Sequence, residues 1–317
     1  MKTVYVTVLT QGFEVQALTL ARSILETSAD SKFYFFCLDE IAEKHLRPVL
    51  PERAQIVPFE AICTDELARL KSERPASPFC WTCKPVAIDY ALKNISDVDW
   101  VVYVDGDMMA FGDPNERLVQ AHDCSVVLTP HAFRYYPFIG TETLVGTFNA
   151  GYFALRNTNK GREILDWWMD KCFEHCPSVP DPDAYGDQKY LDAMSKKFAD
   201  DISIGFPVTD LAPWNIGEDI VFKQGEDVYF QSQKALIFHF QGFKIANNYF
   251  VDLYAGNMRL SKSVKKHIFA RYVSNMRRAY DDLHEKSGYK LERQYSVLYF
   301  LKSVLSMVLG RHNIVRW

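Results

Sequence analysis

The sequence predicts an α/β fold built on a mostly parallel, Rossmann-like sheet flanked by helices, followed by a helical basic extension. Three observations carry that prediction. Short β-rich runs alternate with stretches of helical period along most of the chain. One run, residues 100–104, is apolar or aromatic throughout, as a strand covered on both faces must be. Charge is divided unevenly, with 13 Lys and Arg against 4 Asp and Glu from Asn257 to Trp317 in a chain of formal net charge -4. With 317 residues, 48% of them hydrophobic and 24% charged, the chain can bury a sizeable core, which excludes collagenous, disordered and repetitive classes. The acidic balance gives no reason to expect nucleic acid as a partner.

The elements follow in order. Residues 4–9 form an opening strand, and after Gln11 and Gly12 the spacing of Val15, Leu18, Leu20, Ile24 and Leu25 suits a helix. Residues 33–38 give a second strand, 41–50 a helix stopped near Pro48 and Pro51, and 54–58 a third strand. A helix is expected over 85–92, with Pro85 at its first turn. Strand 100–104 then ends abruptly in Asp105-Gly106-Asp107. Further strands are expected at 125–128, 151–155, 202–205 and 235–240, with helices near 162–172 and 186–194. No repeat or low-complexity linker interrupts this pattern, so the division expected is a catalytic domain over 1–255 and a basic amphipathic tail over 256–317.

Asp-any-Asp occurs three times, at Asp97/Asp99, Asp105/Asp107 and Asp181/Asp183. Only Asp105 and Asp107 leave the end of a buried strand, where ligands of open α/β sheets sit. Two carboxylates emerging together repel unless a cation lies between them, and a hard divalent ion on oxygen ligands answers that, with phosphate oxygens as its natural further ligands. Seven scattered cysteines suit reduced thiols in a cytoplasmic protein. The spacing of Cys80 and Cys83, with Cys172 and Cys176, admits a metal or redox motif, but buried thiols are the expectation. The opening residues are too short for a signal peptide, and no window is apolar enough to span a membrane.

Val102-Tyr103-Val104-Asp105-Gly106-Asp107 resembles the DxD metal-binding motif of GT-A-type glycosyltransferases, in particular family 8 and related nucleotide-diphosphosugar transferases. Phe148-Asn149-Ala150-Gly151 resembles their asparagine-small-glycine element, Gly186-Asp187-Gln188 their aspartate-glutamine pair at a helix start, and His239-Phe240-Gln241-Gly242 their late metal-binding histidine. The resemblance covers roughly Thr3 to Lys244. It implies that Asp105, Asp107 and His239 hold Mn²⁺ or Mg²⁺ on the diphosphate of a nucleotide-sugar, a UDP-hexose by kinship, whose sugar passes with retention to a glycan or glycolipid acceptor. It further implies that Thr7, Leu9 and Thr10 cradle the nucleoside, that Lys84 and Lys244 reach phosphates or sugar, and that Gly106, Asn149, Ala150, Gly151 and Gly242 line the donor site. Asp187 and Gln188 take the catalytic places. The family's acidic residue after the first strand is absent here, where Thr10, Gln11 and Gly12 stand, and Lys244 lies one position early.

Trp214 and Asn215 offer a flat face and a paired donor and acceptor, a candidate sugar or acceptor wall, with a buried tryptophan as the alternative. In the tail, Ile268, Tyr272 and Met276 recur at helical spacing after the basic stretch from Arg259 to His267. Tyr295, Leu298, Tyr299, Leu301, Val304, Leu305, Val308 and Leu309 repeat the theme beside Lys302, Arg311 and Arg316. This composition suits an anionic surface on the inner face of the membrane, with packing on the catalytic domain or on a second copy as the alternative. Two other functions compete. A sugar-nucleotide nucleotidyltransferase would carry a Gly-rich phosphate loop after the first strand, which Thr10-Gln11-Gly12-Phe13 lacks, and a non-catalytic membrane-docked glycan-binding protein would survive loss of Asp105 or Asp107.

Overall fold

The computed structural model describes residues 1–217, 219–246, 250–255, 258–291, 305 and 313–316. The chain opens β1 (Thr3–Leu9), α1 (Glu14–Thr27), β2 (Lys32–Cys37), α2 (Glu40–Leu46) and β3 (Ala54–Pro58). Helices α3 (Asp65–Glu73) and α4 (Ala76–Asn94) precede β4 (Trp100–Val104), β5 (Met108–Ala110), α5 (Asn115–Gln120) and β6 (Val126–Pro130). Next come α6 (Glu142–Val145), β7 (Phe148–Arg156), α7 (Asn159–Glu174), α8 (Tyr190–Lys197), β8 (Ile202–Ile204) and α9 (Pro213–Ile216). A small meander, β9 (Phe222–Gln224), β10 (Asp227–Phe230) and β11 (Gln233–Lys234), leads to β12 (Ile237–His239), β13 (Lys244–Ile245) and β14 (Phe250–Asp252). Finally α10 (Lys262–Val264) runs through a π-helical turn into α11 (Ala270–Ser287), and β15 (Ile314–Arg316) ends the described chain.

The seven-stranded sheet has the order β3-β2-β1-β4-β7-β6-β8, and every strand in it is parallel to β4 except β7. Strand order reverses direction between β1 and β4, which makes their carboxyl ends the switch point where such sheets bind ligands. The pleat sorts the side chains. Val4, Val6 and Val8 of β1 and Tyr103 of β4 face a layer made by α3, α4, α7 and α8, whereas Tyr5, Leu9, Val102 and Val104 face α1, α2 and α11.

Three helical boundaries differ from expectation. Helix α4 begins at Ala76, not Pro85, so Pro85 lies well inside it; its burial with Cys83, Ala87 and Ile88 on the sheet outweighs the lost hydrogen bond. Helix α3 was not expected, although Thr64 carries the signal, since its hydroxyl accepts the amide of Leu67 at 3.1 Å. Helix α8 starts at Tyr190, not near residue 186, which leaves Asp187 and Gln188 in the turn before it instead of at a helix start.

In the tail, Ile268, Tyr272 and Met276 are buried in the core shared with α1, with Arg22 to Asp282 at 2.7 Å as a surface clasp. Packing on the body of the sheet therefore accounts for that apolar face. Of the later positions, Tyr295, Leu298, Tyr299, Leu301, Lys302, Val304, Val308, Leu309 and Arg311 lie outside the described residues. No helix among the described residues is long and apolar enough to cross a membrane.

Candidate active site

The turn after β4 places Asp105 and Asp107 on the carboxyl edge of the sheet, and a two-stranded ladder supplies the third group. β5 follows the turn directly and pairs antiparallel with β12, setting Met108 opposite His239. Asp105, Asp107 and His239 thereby bring one potential ligand atom each to within 4.8 Å of one another, the one such group of three or more His, Cys, Asp or Glu among the described residues. Cys80, Cys83, Cys172 and Cys176 form no such group; all are free thiols whose pKa values burial pushes up.

The two aspartates meet different neighbours. Asp105 Oδ1 accepts the Tyr103 hydroxyl at 2.9 Å and stands 3.0 Å from the Lys84 ammonium, which also lies 3.2 Å from Asp187 Oδ2 and donates to the Ala150 carbonyl at 3.3 Å. Lys84 is a buried residue inside α4, where a position just before the helix was expected. Burial disfavours its charge, but Asp105 and then Asp187 outweigh that and hold it above its ordinary value. Burial, aided by Asp105 and opposed by Lys84, pushes Asp187 up to about 6.

On the other side, Asp107 Oδ1 lies 3.1 Å from His239 Nε2, and His239 Nδ1 lies 3.0 Å from Asp210 Oδ1. Burial works against the imidazolium, yet Asp107 foremost and Asp210 keep it well above its usual range. Asp107 is held below its ordinary value because His239 outweighs burial, whereas burial prevails at Asp210 and raises it. Gly151 is required here, since a Cβ would fall 2.5 Å from Asn149 Oδ1 and 3.0 Å from the His239 ring. Asn149 accepts the Gly151 amide at 2.5 Å and meets His131 Nε2 at 3.1 Å. Burial brings His131 down to about 4, so its imidazole is neutral.

Other expected residues are distributed less evenly. Gln188 donates to the Val145 carbonyl at 2.8 Å, tying the turn of Asp187 to α6. Thr7 is buried with its hydroxyl unpartnered among the described residues, 3.9 Å from where a Gly106 Cβ would stand, and Thr10 is half-buried on the loop. Leu9 is core, its carbonyl taken by the Leu38 amide, so its side chain cannot cradle a nucleoside. Gly242 adopts φ +80° in the turn after β12, with the Tyr254 ring packed against it, and Lys244 is exposed on β13 in register with Asp252. Trp214 is 2% exposed, its ring edge-on to His239, and Asn215 is 1% exposed with its amide engaged by Ala212, His131 and Asp210. The expected sugar wall is corrected on that burial: both residues stand behind His239 as support.

Sequence reasoning missed His131 and Asp210. His131 follows β6, whose end shares the site's edge, so topology could have found it. Phe13 precedes α1 and is 47% exposed at the end of the β1 loop. Asp210 sits in an irregular loop with no periodic signal.

No family model matches the chain. Over 253 residues it is 30% identical to YfnF, an uncharacterized protein of Bacillus subtilis (strain 168), which spans 78% of this chain and 84% of that one. The chain belongs to the YfnF family. It is also 25% identical over 280 residues to YfnD, another uncharacterized protein of that organism, spanning 87% of this chain and 89% of that one. Among solved structures, galactosyltransferase LgtC in complex with donor and acceptor sugar analogs superposes with a TM-score of 0.53 at 13% identity, covering 88% of this chain and 96% of that one. The likeness establishes a GT-A-type fold for this member of the YfnF family.

Proposed function

We propose that the chain is a metal-dependent glycosyltransferase that moves a sugar from a nucleotide-diphosphosugar, a UDP-hexose in the first instance, to a glycan or glycolipid acceptor with retention of configuration. The observation that carries this reading is the convergence of Asp105, Asp107 and His239 at the switch point of a GT-A-type sheet, beside the buried Lys84–Asp187 pair. Two carboxylates and an imidazole fit Mn²⁺, with Mg²⁺ as the harder alternative. When bound, such an ion supplies Lewis-acid neutralisation of charge on a departing diphosphate.

The chain's own residues account for the rest. Asp105, Asp107 and His239 hold the cation. Lys84 adds a fixed positive charge, oriented by Asp105 and Asp187, that assists binding of an anionic donor. Phe13 presents an exposed ring on which a base stacks, and Thr7 keeps an unpartnered hydroxyl beneath the turn. Asp187 and Gln188, fixed by Lys84 and Val145, are the polar groups nearest to hand for the sugar hydroxyls. Exposed Arg259, Lys262 and Lys266 give the tail a basic surface for peripheral contact with an anionic membrane on its cytoplasmic side.

The test is a melting-temperature and donor-hydrolysis panel of nucleotide-sugars, with and without Mn²⁺, on wild type and Asp107→Ala. A Mn²⁺-dependent rise with one nucleotide, absent in the variant, is expected. A well-folded wild type that responds to no nucleotide-sugar would sink the reading.

A further inference from the structure

Asp210 is fully buried, and a carboxylate without water must be paired or it destabilises the fold. Its Oδ1 meets Nδ1 of His239 at 3.0 Å, while its Oδ2 has no hydrogen-bond partner among the described residues. The imidazole is thus the group that Asp210 serves. The loop is built onto the strand that carries the ring: the Leu211 amide donates to the Ile237 carbonyl at 3.2 Å, and the His239 amide to the Leu211 carbonyl at 2.7 Å. Asn215 Nδ2 clamps the Asp210 carbonyl at 3.1 Å, and Thr209 and Thr129 join their hydroxyls at 3.0 Å. Carboxylate and ring are therefore fixed in one frame.

The ring is confined elsewhere as well. Gly151 approaches so closely that a Cβ there would lie 3.0 Å from His239 Cε1 and Nδ1, and Trp214 stands with its centroid 5.3 Å away at 75°. Nε2 faces Asp107 at 3.1 Å, toward the cluster with Asp105. A neutral imidazole has two tautomers, of which only the one with a bare Nε2 can ligate on that side, and a carboxylate accepting from Nδ1 selects it.

We propose that Asp210 is a positioning residue for the divalent-cation site, holding His239 in the orientation and tautomer that turn Nε2 toward Asp105 and Asp107. The inference rests on the metal reading above and adds to it a third carboxylate that never touches the ion.

Mn²⁺ titrated by calorimetry into wild type, Asp107→Asn and Asp210→Asn, with metal-free melting temperatures recorded for each, tests it. Wild type binds, Asp107→Asn loses binding, and Asp210→Asn binds about 10–100-fold more weakly while still folded. Asp210→Ser carries the same expectation should the Asn variant not fold. A purely structural Asp210 would lower the metal-free melting temperature and leave the dissociation constant of the folded variant unchanged, and that result overturns the proposal. Wild type that binds Mn²⁺ no better than Asp107→Asn overturns the metal reading itself and this inference with it.

Discussion

Asp105 and Asp107 are two residues apart and belong to different halves of the molecule. Asp105 is compensated from the α4 layer, by a lysine whose charge is fixed at any ordinary pH and is shared with Asp187. Asp107 is compensated from the β5–β12 side, by a histidine backed by Asp210. A lysine competes with a metal for its carboxylate but cannot become a ligand while charged, whereas a histidine that gives up its proton becomes one. One half of the turn is a permanent electrostatic anchor, and the other, on the metal reading proposed above, exchanges a proton for a cation.

The sharpest way to break this contrast is to remove the permanent charge. Lys84→Met leaves Asp187 and Asp105 without their shared cation, and a loss of about 3–5 kcal/mol in denaturant unfolding is expected, together with loss of donor turnover. Losses equal to those of His239→Ala would show the halves to be equivalent.

A smaller effect separates the glycines of the two halves. Gly151→Ala drives a methyl into Asn149 and the His239 ring, for an expected cost of about 1–3 kcal/mol and weaker Mn²⁺ binding. Gly106→Ala meets nothing closer than 3.8 Å, so its melting temperature should stay near that of wild type.

A further contrast is a pH dependence at Asp187 in the anchor. Asp187 titrates at about 6 in the folded chain, above its unfolded value near 3.9. The folded state therefore binds this proton more tightly; the stability it contributes is full below about pH 4 and is lost as pH rises through about 6. Wild type should fall relative to Asp187→Asn over that window in denaturation midpoints. Parallel curves would mean that Lys84 keeps Asp187 ionised throughout.

The same division explains what could be read from the sequence. Strand β4 and its terminal aspartates were legible because five consecutive apolar residues can lie only in a covered strand, and charge directly after it has nowhere to go but the edge. The sheet followed from the same periodicity. The roles of Asp210, His131 and Trp214 depend on which loops a distant ladder brings together, and no local pattern encodes that. Lys84 was found but misplaced, because Pro85 reads as a helix start and its tolerance inside α4 comes only from tertiary burial. Trp214 and Asn215 were recognised as an aromatic and amide pair, yet whether such a pair faces ligand or core is decided by neighbours far along the chain.

The last described strand has a consequence in time. β15 pairs with β14, and Asn313 donates to the carbonyl of Tyr254, whose ring packs on Gly242 just past His239. On a ribosome, Lys84, Asp105 and Asp187 have all been made once residue 187 is added, while the β14–β15 pairing waits for residue 316. A chain stalled between those points would hold the Lys84–Asp187 pair and lack the β14–β15 pairing beside the turn after β12.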